Sequence, residues 1–124
     1  MNLGKIEYVP LHINVEVWGP AVSLVSLAGY VDVWTSPKLR KTLIDLVGQG
    51  FHHLVVDLND VDYIHATGMG VLAGAHKRAS AMGGAVELVC RQDRFLELLE
   101  LGRLTEVCRV YGSPDDARAD LGLA

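Results

Sequence analysis

The densest set of side chains able to do chemistry lies between Asp57 and Leu72, in Asp57-Leu58-Asn59-Asp60-Val61-Asp62-Tyr63-Ile64-His65-Ala66-Thr67-Gly68-Met69-Gly70-Val71-Leu72. An apolar, strand-like run leads into an acidic stretch from Asn59 to Asp62, read as part of a loop that ends at Ala66. The chain then turns at Thr67-Gly68 into the start of a helix. A helix N-terminus carries unpaired N–H groups and partial positive charge, so it favours an anion. The Thr67 hydroxyl stands at that end, where an attached phosphate would meet favourable dipoles. Gly68 and Gly70 are expected to leave the backbone there accessible and lightly shielded. From residue types alone, the commoner use of such a threonine is as a helix N-cap. Asp32 belongs to the same region, because loops at strand C-termini and helix starts gather at one end of an α/β sheet. Met69 follows the turn and is read either as an adaptable contact for a partner or as a filler of its own core.

Other chemistries find less support. Gly68, Gly70 and Gly74 superficially match a dinucleotide fingerprint, but in that motif the glycines directly follow the first strand of a larger fold. His52 and His53 are adjacent and so point to opposite faces of a strand. His76 lies about 13 Å along its helix from Thr67. No Cys/His or HxxxH spacing marks a metal site, and the histidines are read as polar surface residues. Thr67, His65 and Asp32 could be arranged on paper as nucleophile, base and orienter, yet no nucleophile-elbow motif is present. The expectation is a binding protein without enzymatic activity, cofactor or metal.

Strands and helices must position these residues. Leu11, Ile13, Val15 and Val17 alternate with His12, Asn14 and Glu16, which predicts a strand with one buried face. Trp18-Gly19-Pro20 reads as a turn into a second, more apolar strand from Ala21 to Ala28, and the two form a hairpin. Gly29-Tyr30-Val31-Asp32 leaves that strand, and Thr35-Ser36-Pro37 reads as a helix start with Ser36 as cap. Leu39, Leu43, Leu46 and Val47 give the helix its apolar face, and Gly48-Gln49-Gly50 ends it. His53 to Leu58 is predicted as a strand buried on both faces. The helix from Thr67 or Gly68 to about Met82 turns Leu72, Ala75, Ala79 and Met82 inward. Further elements are a strand from Ala85 to Cys90, a helix from Asp93 to Leu101 with Phe95, Leu98 and Leu99 inward, and a strand from Val107 to Tyr111. A last helix starts at Ser113-Pro114-Asp115-Asp116. The order β-β-α-β-α-β-α-β-α implies an α/β domain whose later strands are largely parallel.

With 124 residues and half of them hydrophobic, the chain suits one domain with its own core. A net charge of -4 argues against nucleic acid as partner. The two cysteines, Cys90 and Cys108, sit in apolar stretches without a CxxC pairing and are read as buried thiols. No apolar run approaches the ~20 residues of a membrane span, and no secretory signal opens the chain. A cytoplasmic location without membrane insertion is expected. Oligomeric state stays open, with a homo-oligomer among the allowed arrangements.

The ordered set of motifs resembles the STAS domains of bacterial anti-sigma factor antagonists. That family shows a hairpin, a Gly-Glu-x-Asp stretch, a helix, a strand ending in Asp-Leu, and a loop closing on Asp-Ser-Ser-Gly-Leu-Gly. This chain offers Gly29-Tyr30-Val31-Asp32, then Asp57-Leu58, then His65-Ala66-Thr67-Gly68-Met69-Gly70. The likeness continues through Gly83-Gly84-Ala85-Val86-Glu87-Leu88-Val89, Leu99-Glu100-Leu101 and Val107 to Tyr111, and so covers about Leu11 to Leu121. It implies a single STAS-like α/β domain over residues 1–124, a mixed and mostly parallel sheet of about five strands packed with about four helices. It also implies a partner: an anti-sigma factor that is at once a serine/threonine kinase. The kinase phosphorylates the second serine of the motif, whose place here is Thr67, and the binding of the unmodified protein frees a sigma factor. Because loops at strand C-termini and helix starts cluster at one end of an α/β sheet, the surface for that partner is expected over Asp32, Asp60, Asp62, His65, Gly68 and Met69. Two departures stand out: the motif aspartate is His65 and the first serine is Ala66. They favour a second reading, a STAS subunit of a signalling scaffold or transporter-associated complex that is never phosphorylated.

Overall fold

The structure, a computed structural model, describes residues 8–123. Five strands form one sheet in the order of the chain: β1 (His12–Gly19), β2 (Val22–Val31), β3 (His53–Ile64), β4 (Ala85–Val89) and β5 (Val110–Tyr111). β1 and β2 are an antiparallel hairpin; every later neighbour is parallel. The parallel steps are bridged by α1 (Ser36–Gly48), by α2 (Ala66–Ala81), and by α3 (Asp93–Leu101) with the single turn α4 (Leu104–Val107). Right-handed crossovers between successive neighbours put their helices on one face of a sheet. Residues from these four helices accordingly share one core with Val25, Leu27, Leu54, Val56 and Leu88. The last helix, α5 (Pro114–Asp120), covers the opposite face, where Ala117 meets Leu24, Val55 and Val89.

The expected α/β fold is present, with differences at particular elements. Val15 and Val17 are exposed: β1 is an edge strand that packs chiefly on β2, with no helix among the described residues laid over these side chains. The stretch Asn59 to Ile64 is strand and not loop. Parallel pairing with β2 continues through Ala28↔Asp60, Gly29↔Val61 and Tyr30↔Tyr63, helped by two register shifts. Met82 stands outside the helix and is exposed, so the buried stripe of α2 is Leu72, Ala75 and Ala79. Leu98 is only partly buried, while Phe95 and Leu99 reach the core. The segment read as a strand from Val107 begins as helix instead. Leu104 and Cys108, four apart, bury one face of a turn entered through Arg103 at φ 61°.

Cys90 and Cys108 are both buried and unbonded. Burial, and next the Glu87 charge, push the Cys108 thiol up to about 11. His76 is a structural residue and not a surface one: its Nδ1 accepts the Val86 N–H at 3.1 Å, pinning α2 to β4. Among the described residues no helix is long and apolar enough to cross a membrane.

Candidate functional site

The C-terminal ends of β2 and β3 deliver the chain to the N-termini of α1 and α2, and the candidate residues meet there. Asp32 organises the first of these helix starts. Its Oδ1 accepts the amides of Trp34 at 3.0 Å and Thr35 at 2.9 Å. The Thr35 hydroxyl accepts the Asp32 amide at 2.9 Å and donates to the Tyr30 carbonyl at 2.8 Å. Desolvation pushes the Asp32 carboxyl up, but these hydrogen bonds and one from the Tyr8 phenol outweigh it and hold the group below its ordinary value. Thr35 therefore takes the cap position expected of Ser36, which is buried inside the first turn. The Ser36 hydroxyl donates to the Asp32 carbonyl at 2.6 Å.

The second helix start differs from the sequence reading in a way that matters for chemistry. His65 is the N-cap of α2, in extended conformation, and its Nδ1 accepts the Thr67 amide at 3.1 Å. The imidazole thus fills the place of the motif aspartate as a cap. Thr67 sits in the first helical turn, exposed, with no capping bond to make. Its hydroxyl lies 3.0 Å from His65 Nδ1 and 3.2 Å from Ser36 Oγ. The one Nδ1 lone pair is taken by the Thr67 amide, whereas the Ser36 oxygen, whose proton goes to the Asp32 carbonyl, is free to accept from the Thr67 hydroxyl.

Gly68 does not expose the backbone as expected. It is buried, and a Cβ there would fall 2.4 Å from Val31 Cγ1. Its role is to let α2 approach β2. Gly70 is open, with nothing within 4 Å of the same position. Met69 is half-buried against the main core, and its Sδ lies 3.3 Å from where a Gly102 side chain would begin. It serves the packing of α2 on the α3–α4 turn.

Asp60 and Asp62 are exposed on the outer half of β3, and among the described residues no hydrogen bond joins them to Thr67. The Asp62 carbonyl accepts from Arg94 at 3.2 Å. Neighbouring Asn59 is a cross-link and not a free loop residue: its Oδ1 accepts the Arg91 amide at 2.8 Å. Asp32, His65 and Thr67 are thus brought together, Gly68 lies beneath them, and Met69, Asp60 and Asp62 stand to either side. The paper triad does not form, because Asp32 binds the Trp34 and Thr35 amides instead of orienting His65.

Sequence reasoning missed two residues here. Ser36 reads as the cap by residue type, although its place after Thr35 leaves it free to turn inward. Trp34 is 83% exposed, a large aromatic held out at this end by the Asp32 turn. An aromatic residue between a strand end and a helix start was the available signal. At the C-terminal ends of β2 and β3 the Tyr8 and Tyr30 ring centroids lie 5.3 Å apart and those of Tyr30 and Tyr63 5.7 Å apart.

This fold and this helix start define a protein class. A family model of the STAS domain matches residues 12–117. The chain belongs to the STAS domain family and, within it, to the anti-sigma factor antagonists. The anti-sigma-B factor antagonist of Bacillus subtilis is 34% identical over 98 residues, covering 78% of this chain and 89% of that protein. An anti-sigma factor antagonist from Mycobacterium paratuberculosis superposes with a TM-score of 0.80 at 26% identity, covering 89% of this chain and 92% of that one. The anti-sigma factor antagonist SpoIIAA in its unphosphorylated form shares the fold, with a TM-score of 0.78 at 12% identity over 91% of this chain and 99% of its own.

Proposed function

We propose that this chain is an anti-sigma factor antagonist switched by phosphate on Thr67. In the unmodified state it binds an anti-sigma factor that is also a serine/threonine kinase, in the cytoplasm, and so releases a sigma factor. The observation that carries this reading is the division of labour at α2: His65 caps the helix, and Thr67 presents a hydroxyl that the fold does not need as a cap. The His65 Nδ1 lone pair is spent on that cap, so the base that takes the hydroxyl proton when a phosphoryl group is attached comes from the kinase. Relatives by sequence carry the name anti-sigma-B factor antagonist, and the fold neighbour SpoIIAA is known in unphosphorylated and phosphorylated forms.

The proposed contact surface is Asp32, Asp60, Asp62 and His65 around Thr67, with Trp34 added from the structure; Gly68 and Met69, which the sequence also offers, are given over to packing. A phosphate on Thr67 adds about -1.5 to -2 charges at neutral pH. The helix N-terminus offsets part of that charge, so the fold survives. A partner surface seated at close range meets a clash and a desolvation cost. The test is incubation with the candidate kinase and ATP, read by intact mass, followed by calorimetry. Thr67→Ala should bind like the unmodified protein, Thr67→Glu more weakly, and the phosphorylated protein not at all. Equal affinity for all three would remove the switch. Undiminished binding with no gain of phosphate would move the chain to the second reading, an assembly subunit, which the His65-Ala66 pair favours.

A further inference from the structure

α1 and α2 pack side by side, and an open groove runs between them from Thr67 toward Ala81. Ile44 and Val71 form its apolar floor. The α2 wall is low because two of its positions, one turn apart, are Gly70 and Gly74. Neither glycine is required by the fold: each has an ordinary helical backbone, and a Cβ at either position would meet nothing within 4 Å. Glycine weakens a helix interior, so two unneeded glycines are a cost to α2 that packing does not explain. Their effect is to keep the groove wide enough for another backbone.

The rim of the groove is basic. Arg40 lines it from α1, and Lys77 and Arg78 line it from α2. Among the described residues none of these three is in an ion pair, whereas Lys41 is held by Asp45 at 2.6 Å. The whole chain carries a net charge of -4, so this is a positive strip on an acidic protein. The span of α2 from Thr67 to Ala81 is roughly 21 Å, the length of a helix of about four turns. An apolar floor, a charged rim and that length are the features of a helix-in-groove site.

We propose that the α1–α2 groove receives an acidic amphipathic helix of a partner protein. Resting on the function proposed above, that helix belongs to the anti-sigma factor, and the groove accounts for the switch. Thr67 and Arg40 line the same mouth of the groove. A phosphate on Thr67 neutralises the rim at that mouth and repels the acidic helix, with no change of fold needed.

The experiment needs no kinase, so its outcome is separable from that of the phosphorylation assay. A synthetic four-turn amphipathic helix with leucines on one face and glutamates on the other is titrated into the isotope-labelled protein at low and physiological salt. The same peptide with lysines replacing the glutamates is the control. The glutamate peptide is expected to shift the amides of Gly70, Val71 and Gly74, to bind at least about tenfold tighter than the lysine peptide, and to weaken as salt rises. The double variant Arg40→Glu, Arg78→Glu should reverse the preference at an unchanged melting temperature. Gly74→Leu, which grows into open space, should close the groove and abolish binding while the protein becomes more stable. Equal binding of the two peptides, shifts confined to another surface, or full binding by Gly74→Leu would overturn the proposal. So would a concentration-dependent dimer that Gly74→Leu dissolves, since the occupant would then be a second copy of this chain.

Discussion

The hydroxyl of Ser36 lies 3.2 Å from that of Thr67, although 31 residues separate them in the chain. The contact ties the first turn of α1 to the first turn of α2. Ser36 is buried, and its proton is spent on the Asp32 carbonyl; Thr67 is exposed and makes no capping bond. The two hydroxyls are therefore expected to differ in worth. Ser36→Ala should cost about 1 kcal/mol, the net value of a buried hydrogen bond. Thr67→Ala should stay within about 0.5 kcal/mol of the parent, as surface substitutions do. Urea unfolding of both variants measures this. A Thr67→Ala loss as large as that of Ser36→Ala would return Thr67 to a structural role.

His65 gives the complementary prediction. Its Nδ1 accepts the Thr67 amide, so His65→Ala leaves a helix donor without a partner and should cost about 1 kcal/mol. His65→Asp supplies a shorter side chain with the same acceptor function and should retain most of the stability. It also restores the residue type that the family motif carries at this place. If His65→Asp proved as unstable as His65→Ala, the imidazole would be holding α2 by something other than its cap.

Much of this arrangement was legible in the sequence, and what was not has physical causes. The apolar spacing of Leu39, Leu43, Leu46 and Val47 fixed the buried face of α1, and all four are buried. Ser113 followed by Pro114 marked α5, whose cap is indeed the Ser113 hydroxyl on the Asp116 amide. The outer half of β3 was illegible because Asn59, Asp60 and Asp62 are polar on an exposed sheet end, and their strand character comes from pairing with β2. The cap of α2 is not legible in the sequence because histidine is not a usual cap residue, while nearby threonine is. Gly68 looked like an opening at the surface. Only the three-dimensional approach of Val31 reveals it as a packing requirement.

Glu87 lies on the α5 side of the sheet, 6% exposed, with Oε2 lacking a hydrogen-bond partner among the described residues. Burial pushes its carboxyl up, and the charges of His53 and Arg109 offset this only in part. A raised carboxyl contributes stability that is fully present below its unfolded value and is lost as pH rises through its folded value. The loss begins near pH ~4.3, the ordinary glutamate value, and proceeds upward. Glu87→Gln should therefore be more stable than the parent at pH 7, by about 1 kcal/mol, with a flatter stability profile above the acid range. Denaturation at a series of pH values reads both. A Glu87→Gln protein less stable than the parent at neutral pH would mean that the charge is satisfied by groups around it.

Trp34 and Met69 offer opposite tests of the proposed partner surface. The sequence reads Met69 either as a partner contact or as a filler of its own core. It is half-buried against the core and packs toward Gly102, so Met69→Asp places a carboxylate under the α3–α4 turn. That variant should lose about 2 kcal/mol or more of stability, and weakened binding by it would say nothing about contact. Trp34 is 83% exposed and its backbone is fixed by Asp32, so its side chain can be removed without disturbing the helix start. Trp34→Ala should leave stability within about 0.5 kcal/mol of the parent. Exposed aromatic residues near the centre of an interface are the usual hot spots, and truncating one costs about 2 kcal/mol of affinity or more. Calorimetry of Trp34→Ala with the anti-sigma factor should accordingly show an affinity lower by about thirtyfold at an unchanged melting temperature. Full affinity in this variant would place the contact surface away from the Asp32 turn and leave the α1–α2 groove as the site that remains.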